Sequence, residues 1–96
     1  MLVLITYDVN TQTDAGKQRL RQVAKCCQDY GIRVQCSVFE CVLDAAQLKT
    51  VEHRLAEIID PTVDSLRFYT LGNRTTRNVC HIGAKPAIDM EDALIL

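Results

Sequence analysis

The 96-residue sequence has no apolar run of bilayer length, no Cys-x-x-Cys pair, no glycine-rich phosphate loop and no linker rich in proline, glycine or serine. Each absence removes a class of protein. The opening MLVLITYDVN is strongly apolar, but it is too short to span a lipid core and no basic residue precedes it, so neither a membrane helix nor a signal peptide is expected. The five cysteines, Cys26, Cys27, Cys36, Cys41 and Cys80, are odd in number and lack zinc-site spacing; they read as reduced thiols packed like small apolar side chains in a cytoplasmic protein. Glycines stand singly at 16, 31, 72 and 83, which argues against a phosphate cradle. With 48% hydrophobic residues and neither repeats nor low-complexity tracts, the chain reads as one packed domain over 1–96, small enough that a second copy would help bury its remaining apolar surface.

What is present is charge segregated along the chain. The net charge of −1 conceals two basic blocks. Residues 16–35 hold Lys17, Arg19, Arg21, Lys25 and Arg33 against Asp29, and residues 65–85 hold Arg67, Arg74, Arg77 and Lys85 with no acid. Between them, residues 36–64 are acidic, and so is the end of the chain. A two-signed surface follows, whose basic part can face a phosphate backbone.

The pattern of apolar residues predicts the elements. Leu2 to Ile5 form a buried strand with Asp8 emerging at its carboxyl end. NTQTD supplies caps for a helix whose apolar positions are Leu20, Val23, Ala24, Cys27 and Tyr30, stopped by Gly31. IRVQCSVFECVL is strand-like but long, predicting a kink or a tight junction near Cys36 and Ser37, with Ile32, Val34, Cys36 and Val38 alternating against Arg33, Gln35, Ser37 and Phe39. Asp44 caps a second helix with Leu48, Val51, Leu55, Ile58 and Ile59 as its stripe, ended by Asp60-Pro61. SLRFYTLG and NVCHIG are two further strands, separated by an NRTT turn.

The order β-α-β-β-α-β plus one C-terminal strand is that of a ferredoxin-like α+β sandwich, with the first strand central and both helices on one face of an antiparallel sheet. Valine, isoleucine and tyrosine of the first strand are expected on the uncovered face, where a second copy packing sheet to sheet would bury them. The fold assigns no function, because function resides in sites carried on folds.

Three groups of residues carry possible chemistry. Asp8 at a strand end has two readings: a cap for the following turn, which its position alone favours, or a Mg²⁺ ligand paired with the same residue across a two-fold axis. Lys17, Arg21 and Lys25 at i, i+4 and i+8 form a like-charged stripe, either a solvated helix face or a phosphate-neutralising one. His53 reads as solvated, since it sits among charges on the second helix, and His81 as structural, beside the apolar Val79 and Ile82.

LITYDV, KQRLRQVAK, RVQCSVFEC, LRFYTLG and HIGAKPAID, in that order over nearly the whole chain, closely resemble the second core adaptation protein of CRISPR systems, in the subgroup found with type I-C systems. The resemblance implies a ferredoxin-like homodimer that works beside the adaptation integrase in spacer acquisition. It also implies an endonuclease dependent on Mg²⁺ or Mn²⁺ that cleaves double-stranded DNA, single-stranded RNA or both, with no membrane partner. On it, Asp8 matches the catalytic and metal-binding aspartate. Tyr7, Lys17, Arg19, Arg21, Arg33, Ser37 and Phe39 match the positions expected to meet nucleic acid. It further implies that residues 84–96 form a docking tail that joins the partner subunit's sheet or the integrase, in keeping with the apolar Ala93, Leu94, Ile95 and Leu96.

Two readings compete with a nuclease. One is a non-catalytic DNA-binding scaffold of the integrase complex. The other is an RRM-like RNA binder using Phe68 and Tyr69, which is weak because neighbours in a strand point to opposite faces and the glycine-aromatic pattern is missing.

Overall fold

A computed structural model describes residues 1–71 and 78–84. β1 (Leu2–Asp8) leads into α1 (Asp14–Tyr30), then β2 (Gly31–Gln35), β3 (Val38–Val42), α2 (Ala45–Ile58), β4 (Ser65–Leu71) and β5 (Asn78–Gly83). The sheet order is β2-β3-β1-β4-β5, with every neighbouring pair antiparallel. Its first four strands have the ferredoxin-like arrangement, and β5 extends the sheet beyond β4. The NRTT turn, the basic residues Arg74, Arg77 and Lys85, and the tail from residue 85 onward lie outside the described residues. No helix among the described residues is long and apolar enough to cross a membrane.

Local chemistry sets the element ends. The Thr13 hydroxyl accepts the Gly16 N–H at 3.0 Å and starts α1. The helix runs straight into β2, because the Gly31 N–H closes the last turn on the Cys27 carbonyl while Gly31 itself is extended. Asp44 and Gln47 form a reciprocal capping box at the start of α2, each backbone N–H bonded to the other's side chain at 3.0 and 2.7 Å. The long strand-like segment is two strands, joined by a two-residue turn at Cys36 and Ser37.

The core lies between one sheet face and the helices. Val3, Ile5 and Tyr7 of β1 pack with Phe39 and Cys41 of β3, Leu66 and Phe68 of β4, Val23, Cys26 and Cys27 of α1, and Val51 and Leu55 of α2. This corrects one expectation: the valine, isoleucine and tyrosine of β1 face the helices and are buried within a single chain. The uncovered face carries Leu2, Leu4 and Thr6, which are half-buried, and Asp8, which is exposed. Alternation along the strand makes the two sets exclusive, so one central strand displays both an apolar and a mixed face.

The alternation in β2 also sorts differently from its hydropathy. Ile32 and Val34 are 74% and 48% exposed, whereas Arg33 faces the core side opposite Phe39. β2 is an edge strand whose register sets Arg33 opposite the inward-facing Phe39 and Ile32 opposite the exposed Glu40, so Ile32 falls on the open face; the register then slips between Arg33 and Gln35.

Candidate active site and nucleic-acid interface

The carboxyl end of β1 is held from two sides. On one side the Tyr7 N–H donates to the Ser37 carbonyl at 3.1 Å, and the Tyr7 hydroxyl lies 3.3 Å from the Cys36 carbonyl, so the β2–β3 turn is fastened to the residue before Asp8. On the other side Asp8 pairs in register with Ser65 at the start of β4. The carboxylate projects from the sheet face that the helices leave open. Its backbone position is set by two neighbouring strands, which is how a rigid scaffold presents a functional group.

Tyr7, Phe39 and Arg33 form a stack. The Tyr7 and Phe39 rings are 6.2 Å apart at 25°, and the Arg33 guanidinium sits 5.2 Å above the Phe39 centroid. Phe39 is fully buried and Tyr7 is 6% exposed, whereas Arg33 is exposed. The two rings expected at a nucleic-acid surface therefore offer no open face to a base, and their contact with solvent chemistry runs through Arg33. Burial pushes the Tyr7 hydroxyl above its ordinary value, with the Arg33 charge pulling the other way.

The helix cations separate into two groups. Lys17, Arg21 and Lys25 are exposed along one side of α1. Arg19 is mostly covered: its Nε donates to Asp64 at 2.8 Å, and Asp64 is fully buried. Asp64 also accepts the backbone N–H groups of Asn10 and Asp60, each at 2.9 Å. Burial alone would raise the Asp64 carboxyl, but the hydrogen bonds from Arg19, Asp60 and Asn10 outweigh it and hold it below the usual range. The bond to Asp64 correspondingly raises Arg19. Nothing in the sequence links these two residues, 45 positions apart, and Asp64 is the site-region residue that sequence patterns miss.

The remaining candidates take simple places. His53 is exposed and 3.1 Å from Glu57, one helical turn on. His81 is half-buried on β5 opposite Arg67, and its Nε2 is buried without a hydrogen-bond partner. Among the described residues no three His, Cys, Asp or Glu side chains converge on a metal position. The donor chemistry of Asp8 suits a hard cation only as part of a shell, an exposed carboxylate oxygen with the other positions left to water, phosphate or a second copy.

Comparison with known proteins supplies the context for this geometry. The model of the family described as CRISPR associated protein Cas2 matches residues 1–79. The chain is 59% identical over 95 residues to the CRISPR-associated endonuclease Cas2 of Halalkalibacterium halodurans, covering 99% of each protein. It is 56% identical over 96 residues to the CRISPR-associated endoribonuclease Cas2 of Chlorobaculum tepidum, covering all of both. Among solved structures, the crystal structure of Streptococcus pyogenes Cas2 at pH 6.5 superposes with a TM-score of 0.70 at 61% identity, over 75% of this chain and 87% of that one.

Proposed function

Because the chain belongs to the Cas2 family of CRISPR-associated proteins, whose relatives carry the names endonuclease and endoribonuclease, we propose that it is a metal-dependent phosphodiesterase centred on Asp8. The observation that carries this reading is the placement of Asp8: an exposed carboxylate at the end of the central strand, on the open sheet face, with Tyr7 beside it anchored to the β2–β3 turn. A Mg²⁺ or Mn²⁺ ion held there would supply a water activated at neutral pH and positive charge against the scissile phosphate.

The chain's own residues contribute position and charge. Asp8 stands exposed at the strand end, and the Tyr7 N–H bond to the Ser37 carbonyl holds that end in place. Arg33, stacked on Phe39, presents a fixed guanidinium for a phosphate oxygen, a planar donor set suited to bidentate contact. Lys17, Arg21 and Lys25 neutralise further phosphates without reading sequence.

Two copies complete the arrangement. The open face of the sheet carries half-buried Leu2 and Leu4 next to Val42, which is 78% exposed, and Ile32 on the edge strand; a second copy packing there would cover them and bring two Asp8 carboxylates toward one cleft. The setting proposed for this activity is spacer acquisition beside the adaptation integrase, with double-stranded DNA, single-stranded RNA or both as the nucleic acid cleaved.

The test is cleavage of labelled duplex DNA and single-stranded RNA by the wild type and Asp8→Asn, with Mg²⁺ and with chelator. Metal-dependent cutting that disappears in Asp8→Asn is the expected result. Equal cutting by both proteins would remove Asp8 from the chemistry.

One observation favours a second reading, a scaffold that holds DNA without cutting it. The exposed stripe of α1 lies on the helix side of the sheet, whereas Asp8 opens on the other side. Under that reading Asp8→Asn leaves both duplex binding and spacer acquisition intact.

A further inference from the structure

Arg19 stands apart from the other cations of α1. At 3.6 residues per turn it lies about 200° around the helix from Lys17, off the line that Lys17, Arg21 and Lys25 share. Its side chain is 18% exposed and ends on the fully buried Asp64. Taking this guanidinium to an external phosphate would strand a buried carboxylate, so the cation that neutralises Asp64 is not free to serve nucleic acid as well.

Asp64 connects Arg19 to the strand that carries Asp8. One carboxylate oxygen accepts the N–H of Asn10, two residues beyond Asp8. The other accepts Arg19 and the Asp60 N–H. Gly16, in the first turn of α1, closes on Asn10 from the opposite side, since a Cβ there would run into the Asn10 carbonyl. The Asp64 carbonyl accepts the Ala84 N–H at 2.9 Å, and the next residue, Ser65, faces Asp8 in the sheet register. Three segments thus converge on the Asp64 carboxylate, the exit of β1, the first half of α1 and the α2–β4 loop, while the end of β5 meets the same residue through its backbone carbonyl.

We infer that Arg19 is a positioning residue, which acts through Asp64 to hold the chain leaving Asp8, and that it is not a phosphate ligand. The inference rests on the assignment of Asp8 as the reacting centre, and it separates Arg19 from Lys17 and Arg21, with which the sequence groups it. Loss of either partner loosens Asn10 and the strand end before it, while the exposed stripe remains available to bind.

The experiment compares Lys17→Ala, Arg19→Ala, Arg19→Lys, Asp64→Asn and the Arg19→Ala/Asp64→Asn double variant with the wild type. It reads the salt dependence of duplex binding, exchange of the Asn10 amide, and kcat and KM for Mg²⁺-dependent cleavage. Lys17→Ala is expected to reduce the salt slope by about one, the signature of one lost phosphate contact. Arg19→Ala is expected to leave that slope unchanged, to speed Asn10 exchange, and to lower kcat on the order of ten- to a hundredfold at constant KM. Asp64→Asn is expected to match it, the double variant to be no worse than the worse single variant, and Arg19→Lys to recover part of the loss. A slope reduced in Arg19→Ala as in Lys17→Ala, with Asn10 exchange unchanged, overturns the inference. Asp8→Asn runs alongside: if it cuts normally, the Asp8 assignment fails, while binding slopes and Asn10 exchange still decide what Arg19 does. Should Arg19→Ala fail to fold, Arg19→Lys and Asp64→Asn carry the same comparison.

Discussion

The Arg33 guanidinium rests 5.2 Å above the ring of Phe39, a side chain with no solvent exposure of its own. A buried aromatic thereby fixes an exposed cation, and the same ring packs against Tyr7, whose backbone N–H anchors the β2–β3 turn. Phe39 is both a core residue and the platform for Arg33.

Two substitutions separate those roles. Phe39→Ala removes a fully buried ring and is expected to cost about 3–5 kcal/mol of stability. Phe39→Leu keeps much of the apolar volume and is expected to cost about 1–2 kcal/mol, yet it deletes the aromatic face under Arg33. Urea unfolding measures the first effect, and duplex affinity at low salt the second. Weakened binding in Phe39→Leu at a temperature where it is fully folded is the expected outcome; unchanged binding would show that Arg33 needs no ring beneath it.

Acid stability is expected to depend on Asp64. Its folded-state pKa lies below the unfolded value of roughly 3.9, so its contribution is complete above that value and is lost as pH falls through the folded one. The thermal unfolding temperature of the wild type is therefore expected to fall on going from about pH 5 to about pH 2. Asp64→Asn is expected to start lower, by on the order of 3 kcal/mol, because Arg19 loses its buried partner, and to vary less over the same range. Parallel curves for the two proteins would remove Asp64 from the acid transition.

Thiol reactivity reports directly on the packing under α1. Cys26, Cys27 and Cys41 are at most 2% exposed, and burial pushes the Cys27 thiol up to about 12, whereas Cys36 and Cys80 are exposed. Burial raises Cys80 as well, and Glu52 beside it adds to the effect. Mass spectrometry after brief alkylation of the native protein is expected to find Cys36 modified first and Cys80 second, with all five thiols modified only in denaturant. Modification of Cys26, Cys27 or Cys41 at the rate of Cys36 would contradict a closed core.

Much of the architecture is legible in the sequence because it depends on short-range pattern. Asp44 with Gln47 three residues later announces a capped helix, and Asp60-Pro61 announces its end. The tight junction near Cys36 and Ser37 follows from length, since twelve strand-like residues exceed what one strand usually spans. Family membership is legible in the motifs themselves, because they occur in order over almost the whole chain.

The faces were decided elsewhere. A run such as Leu2-Val3-Leu4-Ile5 is apolar on both sides, so hydropathy carries no preference for which side the helices cover; the contacts of β1 with α1 and α2 put Val3, Ile5 and Tyr7 inward and left Asp8 outward. In β2 the pairing of Arg33 with the inward-facing Phe39, on an edge strand, left Ile32 and Val34 outward and put Arg33 over the ring, against the simple rule that apolar alternates face the core. The pairing of Arg19 with Asp64 is of the same kind. By itself the sequence determined the elements, their order and the presence of a carboxylate at the end of a central strand. Only the tertiary structure decided which charges remain available to a ligand and which are consumed in holding that strand end, because a buried ion pair joins residues whose nearness arises from packing and leaves no periodic trace in the chain.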